Sequence, residues 1–218
     1  MQHEPPAKIE IAHSKDEHEN SAKGFSGFIS RHRLAWLICI VILGVGADQV
    51  SKRWAQQNLA EPYKITEEIE INGAMAEVEK EVYYPTRVVT VVPNFFNLIY
   101  KENPAAAFSL TSSIPTSVRR PFLIGVSILA TIFFLIWYVR MKQDDGLLLA
   151  SFSLILAGAV GNLADRLRLG YVIDFLDIHA GPIGYGHLHW PTFNVADTLI
   201  VLGAIGVIIR TLWPYKRS

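Results

Sequence analysis

The sequence predicts a mainly α membrane protein: a four-helix transmembrane bundle carrying a small β-rich layer on its outer face. Three observations predict it. Half of the 218 residues are hydrophobic and only 18% are charged, with the charges falling between long apolar runs. That is the composition of a bilayer-embedded chain. Four runs approach the roughly 20 residues that a helix needs to cross hydrocarbon. All five tryptophans (Trp36, Trp54, Trp137, Trp190 and Trp213) fall at or just beyond the end of a run, where aromatic belts form.

The elements follow in order. Residues 1–30 are polar and mixed in charge, with Pro5-Pro6 and no hydrophobic period. They lack the apolar stretch of a cleavable signal peptide and read as a disordered cytoplasmic tail. Residues 31–218 then form one four-span domain, with the first run as an uncleaved anchor. That run, 34–47, continues as a helix through Asp48-Gln49-Val50-Ser51-Lys52 towards Gln57. A long outer loop spans about 58 to 120. Within it, 79–90 and 88–100 are rich in Val, Tyr, Thr and Phe and favour strands, forming a small sheet on the outer membrane face. Asn72-Gly73, after 65–71, is a hairpin turn signal.

The second span is 121–139, and the third is 146–164, running into Asp165-Arg166. A shorter outer segment covers about 166 to 190. In it, 172–178 reads as a strand or a short interfacial helix, and Gly181-Pro182, Gly184 and Gly186 mark loop. The fourth span, 195–209, carries one charge, Asp197, near its start.

Basic residues set the orientation. Arg31 and Arg33 precede the first span, Arg140 and Lys142 follow the second, and Arg210, Lys216 and Arg217 close the fourth. They share one side, which becomes the cytoplasm, so both termini are inside. Arg119, Arg120, Arg166 and Arg168 fall on the other side, where cations in a long translocated loop count for little.

Several chemistries are disfavoured. The net charge of zero gives no pointer to nucleic acid, and Cys39 is a single thiol within an apolar run, so no disulfide framework exists. There is no His-Glu-x-x-His and no Gly-x-Ser-x-Gly. His187 and His189, with only His179 as a third histidine, make a weak metal candidate. Gly44-Val45-Gly46-Ala47-Asp48 differs from the Gly-x-Gly-Asp of presenilin-type proteases by the intervening alanine. No metal or organic cofactor is expected.

Asp174 and Asp197 are the candidate catalytic pair. A carboxylate beside a bilayer is rare and points to function, and these two lie next to the outer ends of two spans. Two carboxyls that converge cannot both ionise comfortably, so one keeps its proton. The ionised member can then take a proton from water, and the protonated one can hydrogen-bond a peptide carbonyl. Such a pair titrates jointly, so the sequence leaves open which member is protonated. Other polar residues share helix faces at the same depth: Asp48 with Lys52, Gly158 with Asn162 and Arg166, and Asn194 with Asp197. Ala157 and Gly161 permit close approach of a second helix. Taken singly, an ion pair or interhelical hydrogen-bonding glue explains each pair as well.

Five segments then occur in order: Asp48-Gln49-Val50-Ser51-Lys52, Asn103-Pro104-Ala105-Ala106-Ala107-Phe108-Ser109, Gly161-Asn162-Leu163-Ala164-Asp165-Arg166, Gly170-Tyr171-Val172-Ile173-Asp174-Phe175 and Phe193-Asn194-Val195-Ala196-Asp197. From about 34 to 213 the chain resembles the bacterial lipoprotein signal peptidases (signal peptidase II). The resemblance implies an aspartic endopeptidase of the bacterial inner membrane. Such an enzyme cuts signal peptides from prolipoproteins just before a cysteine carrying diacylglycerol. It implies a four-helix bundle with a small extracytoplasmic β-cradle and a short, mobile outer helix as lid, the outer segment about 166–190 being the lid segment. Catalytic aspartates would be Asp174 and Asp197 near the outer face. Asp48, Lys52, Asn103, Asn162, Asp165, Arg166 and Asn194 would bind substrate or brace the pair. Partners implied are diacylated prolipoproteins, membrane lipid and globomycin-type inhibitors.

Two departures stand out. Ala105 replaces a family glycine, which strains the turn if that position needs φ > 0 and fits if only close approach matters. The stretch 60–92 is longer than the family's and reads as an extended hairpin on the cradle. The competing readings are a non-catalytic membrane lipoprotein-binding factor and a small proton-coupled transporter, whose acids should lie near the bilayer midplane.

Overall fold

The computed structural model describes residues 30–71, 74–104, 115–141, 145–181 and 190–213. The predicted N-terminal tail, the Asn72-Gly73 turn, Ala105, His187 and His189 lie outside these residues. Among the described residues four helices carry the fold: α1 (Arg31–Leu59), α2 (Thr116–Arg140), α3 (Gly146–Arg168) and α4 (Val195–Leu212). All four are long and apolar enough to cross a membrane. At 1.5 Å per residue, α1 is about 44 Å long, so its last turns project beyond the hydrocarbon.

Large apolar side chains stay exposed along the bundle, among them Ile42, Leu129 and Leu202. Lipid is their solvent, so apolar burial does little to drive these helices together, and close packing takes over. Small residues provide it. A Cβ on Gly158 would collide with the Ala196 carbonyl oxygen of α4. As a result α3 sits at the centre, packed against α1, α2 and α4.

The two ends of the bundle differ. At one, the Arg33 guanidinium donates to the carbonyls of Tyr138 and Met141, each at 2.8 Å. The Tyr138 hydroxyl returns a bond to the Arg33 carbonyl at 2.6 Å, clasping α1 to α2. Asp145 caps α3 and pairs with Arg210 of α4. Burial pushes the Asp145 carboxyl up, but bonds from the Leu148 N–H, Arg210 and the Leu147 N–H outweigh it and hold the group below the usual carboxylate range.

The other end carries the β structure. β1 (Ala60–Ile71) follows α1 without a linker and pairs antiparallel with β2 (Ala74–Pro85). The pairing runs out to Ile71 opposite Ala74. A second antiparallel sheet runs in the order β3-β4-β5, formed by β3 (Val89–Val92), β4 (Phe96–Asn103) and β5 (Val172–Ile178).

Three details differ from the sequence expectation or decide it. The β-rich stretches 79–90 and 88–100 are interrupted, giving two sheets rather than one. Thr86 and Arg87 donate their N–H groups to the Leu59 carbonyl and close the hairpin at its root. Pro93-Asn94 turns the chain again, with Asn94 at φ 58°. Next, 172–178 is a strand, because it finds a partner in β4. Finally, the outer segment expected at about 166–190 begins inside α3 and continues as β5, and its part 182–189 lies outside the described residues.

Gly170 makes the turn from α3 into β5. Its φ is +86°, and a Cβ there would come within 2.9 Å of Arg120 Cζ. Glycine meets both demands. Beneath this turn Ala55, Leu59, Ala60, Tyr100, Ile173 and Phe175 form a core that joins α1, the hairpin root and the β4–β5 pair.

Candidate functional site

The N-terminus of α4 fixes the first acid. Asn194 is the N-cap, and its side-chain oxygen accepts from the Asp197 N–H at 3.0 Å. Asp197 Oδ2 accepts in return from the Asn194 N–H at 3.3 Å. This reciprocal capping box holds the Asp197 carboxylate at the mouth of the helix. Its other oxygen accepts from Asn162 Nδ2 of α3 at 2.8 Å.

The second acid comes from β5. Asp174 is 2% exposed. One oxygen accepts from Asn103 Nδ2 of β4 at 2.9 Å, and the other from Asn194 Nδ2 at 2.8 Å. Burial dominates its titration and, with the charge of Asp197, outweighs the Asn103, Asn194 and Lys52 contributions, so the carboxyl is pushed up to about 6. Asn194 and Asn162 also bond each other, Nδ2 to Oδ1 at 3.2 Å. The two acids, predicted from separate segments, therefore meet one asparagine pair and lie within each other's field.

Behind them lies a buried ionic layer. Lys52, fully buried, donates to Asp48 Oδ2 at 2.8 Å and Asn162 Oδ1 at 3.1 Å, and sits 2.9 Å from Asp165 Oδ2. An ammonium has three donors, and here three acceptors take them. Asp48 Oδ1 accepts from the Ala196 N–H at 2.9 Å, which anchors the first turn of α4 to α1. Asp165 Oδ2 accepts weakly from the Ile173 N–H at 3.4 Å, reaching the residue beside Asp174. Gly161 makes room, since a Cβ there would stand 2.7 Å from Asp48 Oδ2.

All nine residues singled out by sequence thus fall into one connected assembly. Asp48 and Lys52 are more than an interfacial ion pair, because Asp165 and Asn162 complete their set. Asp174 and Asp197 have no cation beside them in sequence, yet Arg166 lies within Coulombic reach of both. Helical spacing placed Arg166 on the Asn162 face, and its Nη1 donates to the Asn162 carbonyl at 3.4 Å.

Sequence reasoning missed two groups. Gln49 Nε2 bridges Asp48 Oδ2 at 3.1 Å and Asp165 Oδ1 at 2.9 Å. Its place between Asp48 and Lys52 was the only signal. Asn97, Asp177 and His179 form a buried polar cluster towards the far end of the β4–β5 pair, where Asn97 Nδ2 lies 2.8 Å from His179 Nε2. His179 Nδ1 stands 2.8 Å from the Gly181 carbonyl, which can only accept, so this nitrogen carries the proton. Among the described residues no three His, Cys, Asp or Glu side chains group to hold a metal.

This arrangement can position a water and a peptide carbonyl between two carboxyls at the end of a membrane bundle. Known proteins resemble this chain in sequence and in fold. A family model described as signal peptidase (SPase) II matches residues 40–213. The lipoprotein signal peptidase of Geobacter metallireducens is 45% identical over 130 residues, covering 60% of this chain and 76% of that protein. The same enzyme of Syntrophotalea carbinolica is 44% identical over 124 residues, covering 56% and 71%. That of Syntrophus aciditrophicus is 39% identical over 128 residues, covering 59% and 76%. A solved bacterial membrane enzyme superposes with a TM-score of 0.57 at 25% identity, covering 84% of this chain and 94% of that one.

Proposed function

The chain belongs to the signal peptidase II family, and from that membership we propose that it removes signal peptides from prolipoproteins as an aspartic protease with Asp174 and Asp197 as the reacting pair. The observation that carries the reading is the convergence of two carboxyls, from β5 and from the α4 N-terminus, on Asn194 and Asn162.

Asp174, desolvated and pushed up to about 6, is assigned the shared proton. Asp197, half-buried, is assigned the ionised role. Asp197 takes a proton from the water that attacks the scissile carbonyl carbon. Asp174 protonates the carbonyl oxygen, giving a gem-diol. On its collapse one gem-diol hydroxyl returns its proton to Asp174, and the amine nitrogen takes the proton held by Asp197 as the C–N bond breaks. Asn103, Asn162 and Asn194 hold the carboxyl oxygens in register. Lys52, Asp48 and Asp165 lock α1, α3, α4 and β5 together behind them. Arg166 offsets negative charge as the second acid ionises.

The substrate class is diacylglyceryl-modified prolipoprotein, with acyl chains remaining in lipid beside the spans and the cut falling before the lipidated cysteine. The clasped end of the bundle, with Arg31, Arg33, Arg140 and Arg210, is assigned to the cytoplasm, both termini with it, and the acids to the outer face of the inner membrane. Globomycin-type inhibitors would occupy the space between the acids. The reading as a non-catalytic lipoprotein-binding factor is not favoured by the family, and acids at one end of the bundle do not suit a midplane transporter site.

Asp174→Asn and Asp197→Asn should each abolish cleavage of a diacylated prolipoprotein while the protein inserts and folds. Globomycin-sensitive turnover by either variant would overturn the pair's role.

A further inference from the structure

The β1–β2 hairpin is absorbed by none of this chemistry. Its root is well fixed: Leu59 and Ala60 are buried, and Tyr83 packs on the buried Tyr100 with ring centroids 6.3 Å apart. Beyond the root, two independent contacts show that the ribbon has two unlike faces. The Tyr63 and Tyr84 rings meet edge-on, with centroids at 6.0 Å, on one face. Lys64 and Glu79 pair at 3.1 Å on the other.

The strand register assigns the rest. Tyr63 pairs with Val82 and Ile65 with Lys80, whereas Lys64 pairs with Glu81 and Thr66 with Glu79. Side chains alternate across a strand. Tyr63, Ile65, Val82 and Tyr84 therefore share one face, with Glu61 beside Tyr84 at the root. Lys64, Thr66, Glu77 and Glu79 share the other. The sequence keeps this phase towards the tip: Ile69 and Ile71 fall in step with Tyr63, and Glu68 and Glu70 fall in step with Lys64. Glu67 interrupts the apolar phase.

Tyr83, which faces the core, belongs to the charged phase, so the apolar phase turns away from the protein. There Tyr63 is 61% and Tyr84 53% exposed. A two-stranded ribbon is marginal in water without something against its apolar face, and an exposed apolar strip marks an interaction surface. The ribbon leaves directly from the end of a membrane-spanning helix. Tyrosine is a residue that bilayers hold at the headgroup level.

We propose that the Tyr63, Ile65, Val82 and Tyr84 face of the hairpin rests on the lipid headgroup layer of the leaflet next to the two acids, forming an interfacial β-ribbon. Its charged face points to water. Among the described residues no strand pairs with either ribbon edge, and edge backbone groups that need water stop it from sinking into hydrocarbon, so it lies on the bilayer. It thereby braces the root that adjoins Ile173, the neighbour of Asp174.

The test uses the full chain in phosphatidylcholine vesicles, with Cys39→Ser and single spin-labelled cysteines. Labels at Tyr63→Cys, Ile65→Cys, Val82→Cys and Tyr84→Cys should be more accessible to oxygen than to a water-soluble nickel chelate. Labels at Lys64→Cys, Thr66→Cys, Glu77→Cys and Glu79→Cys should show the reverse, giving a period-two alternation. Equal nickel access on both faces would overturn the proposal. So would protection of the apolar set only after adding a protein or peptide, which would mark a protein-docking strand. The unlabelled chain gives a second reading: a photoreactive phosphatidylcholine should attach to Tyr63, Ile65 or Tyr84, and labelling confined to the four spans would count against it. Neither measurement depends on activity, so failure here leaves the roles of Asp174 and Asp197 untouched.

Discussion

Asn194 donates its side-chain amide to Asp174 at 2.8 Å, while its backbone N–H and side-chain oxygen box in Asp197. One residue thus caps a membrane helix and spaces two acids from different elements. The two jobs are separable. Asn194→Ala loses both, at about 0.5–2 kcal/mol of stability for the cap. The lost bond to Asp174, the protonated member, is worth about 0.5–1.5 kcal/mol, roughly a two- to tenfold loss in kcat. Asn194→Ser can still cap the helix. Thermal unfolding should therefore recover in the serine variant and kcat should not; recovery of both would reduce Asn194 to a cap.

Asp174 makes stability depend on pH. Its carboxyl is raised from 3.8 to about 6 in the folded chain, so the folded state binds this proton more tightly than the unfolded one. The penalty is absent below about pH 3.8, grows as pH rises, and is complete above about pH 6, where it reaches about 3 kcal/mol. Asp174→Asn removes the titration. Thermal scans from pH 4.5 to 7 should show the wild type losing stability relative to the variant as pH rises. Parallel curves would contradict the raised value.

Lys52 neutralises two fully buried aspartates. Lys52→Met leaves Asp48 and Asp165 facing each other without a cation, and removing one partner from such a set costs about 3–5 kcal/mol. The expected outcome is a large loss of folded protein in membranes, seen as a fall in yield and unfolding temperature. Normal yield with normal unfolding would mean that the layer does not hold the helices together.

Gly161→Ala tests how tightly α1 and α3 must approach. The new methyl would stand 2.7 Å from Asp48 Oδ2, the carboxylate whose other oxygen holds the Ala196 N–H. Overpacking of this kind costs about 1–3 kcal/mol. Because the displaced group anchors the turn that carries Asp197, kcat should fall while KM changes little. An unchanged kcat would show that Asp48 shifts without moving α4.

The sequence alone determined the four spans, since a bilayer demands uninterrupted apolar runs of fixed length and leaves few alternatives. It also marked the two acids and seven polar residues that the fold gathers around them. Only the tertiary structure decided what those residues do together. Asp174 and Asp197 lie 23 positions apart in sequence, and nothing local to either announces that Arg166 comes near or that Asn194 touches both. The choice between strand and interfacial helix at Val172–Ile178 was likewise tertiary. Short apolar segments are ambiguous in isolation, and pairing with β4 settled it. Spans are set by a solvent that acts on each segment separately, whereas carboxyl geometry is set by groups that only folding brings together.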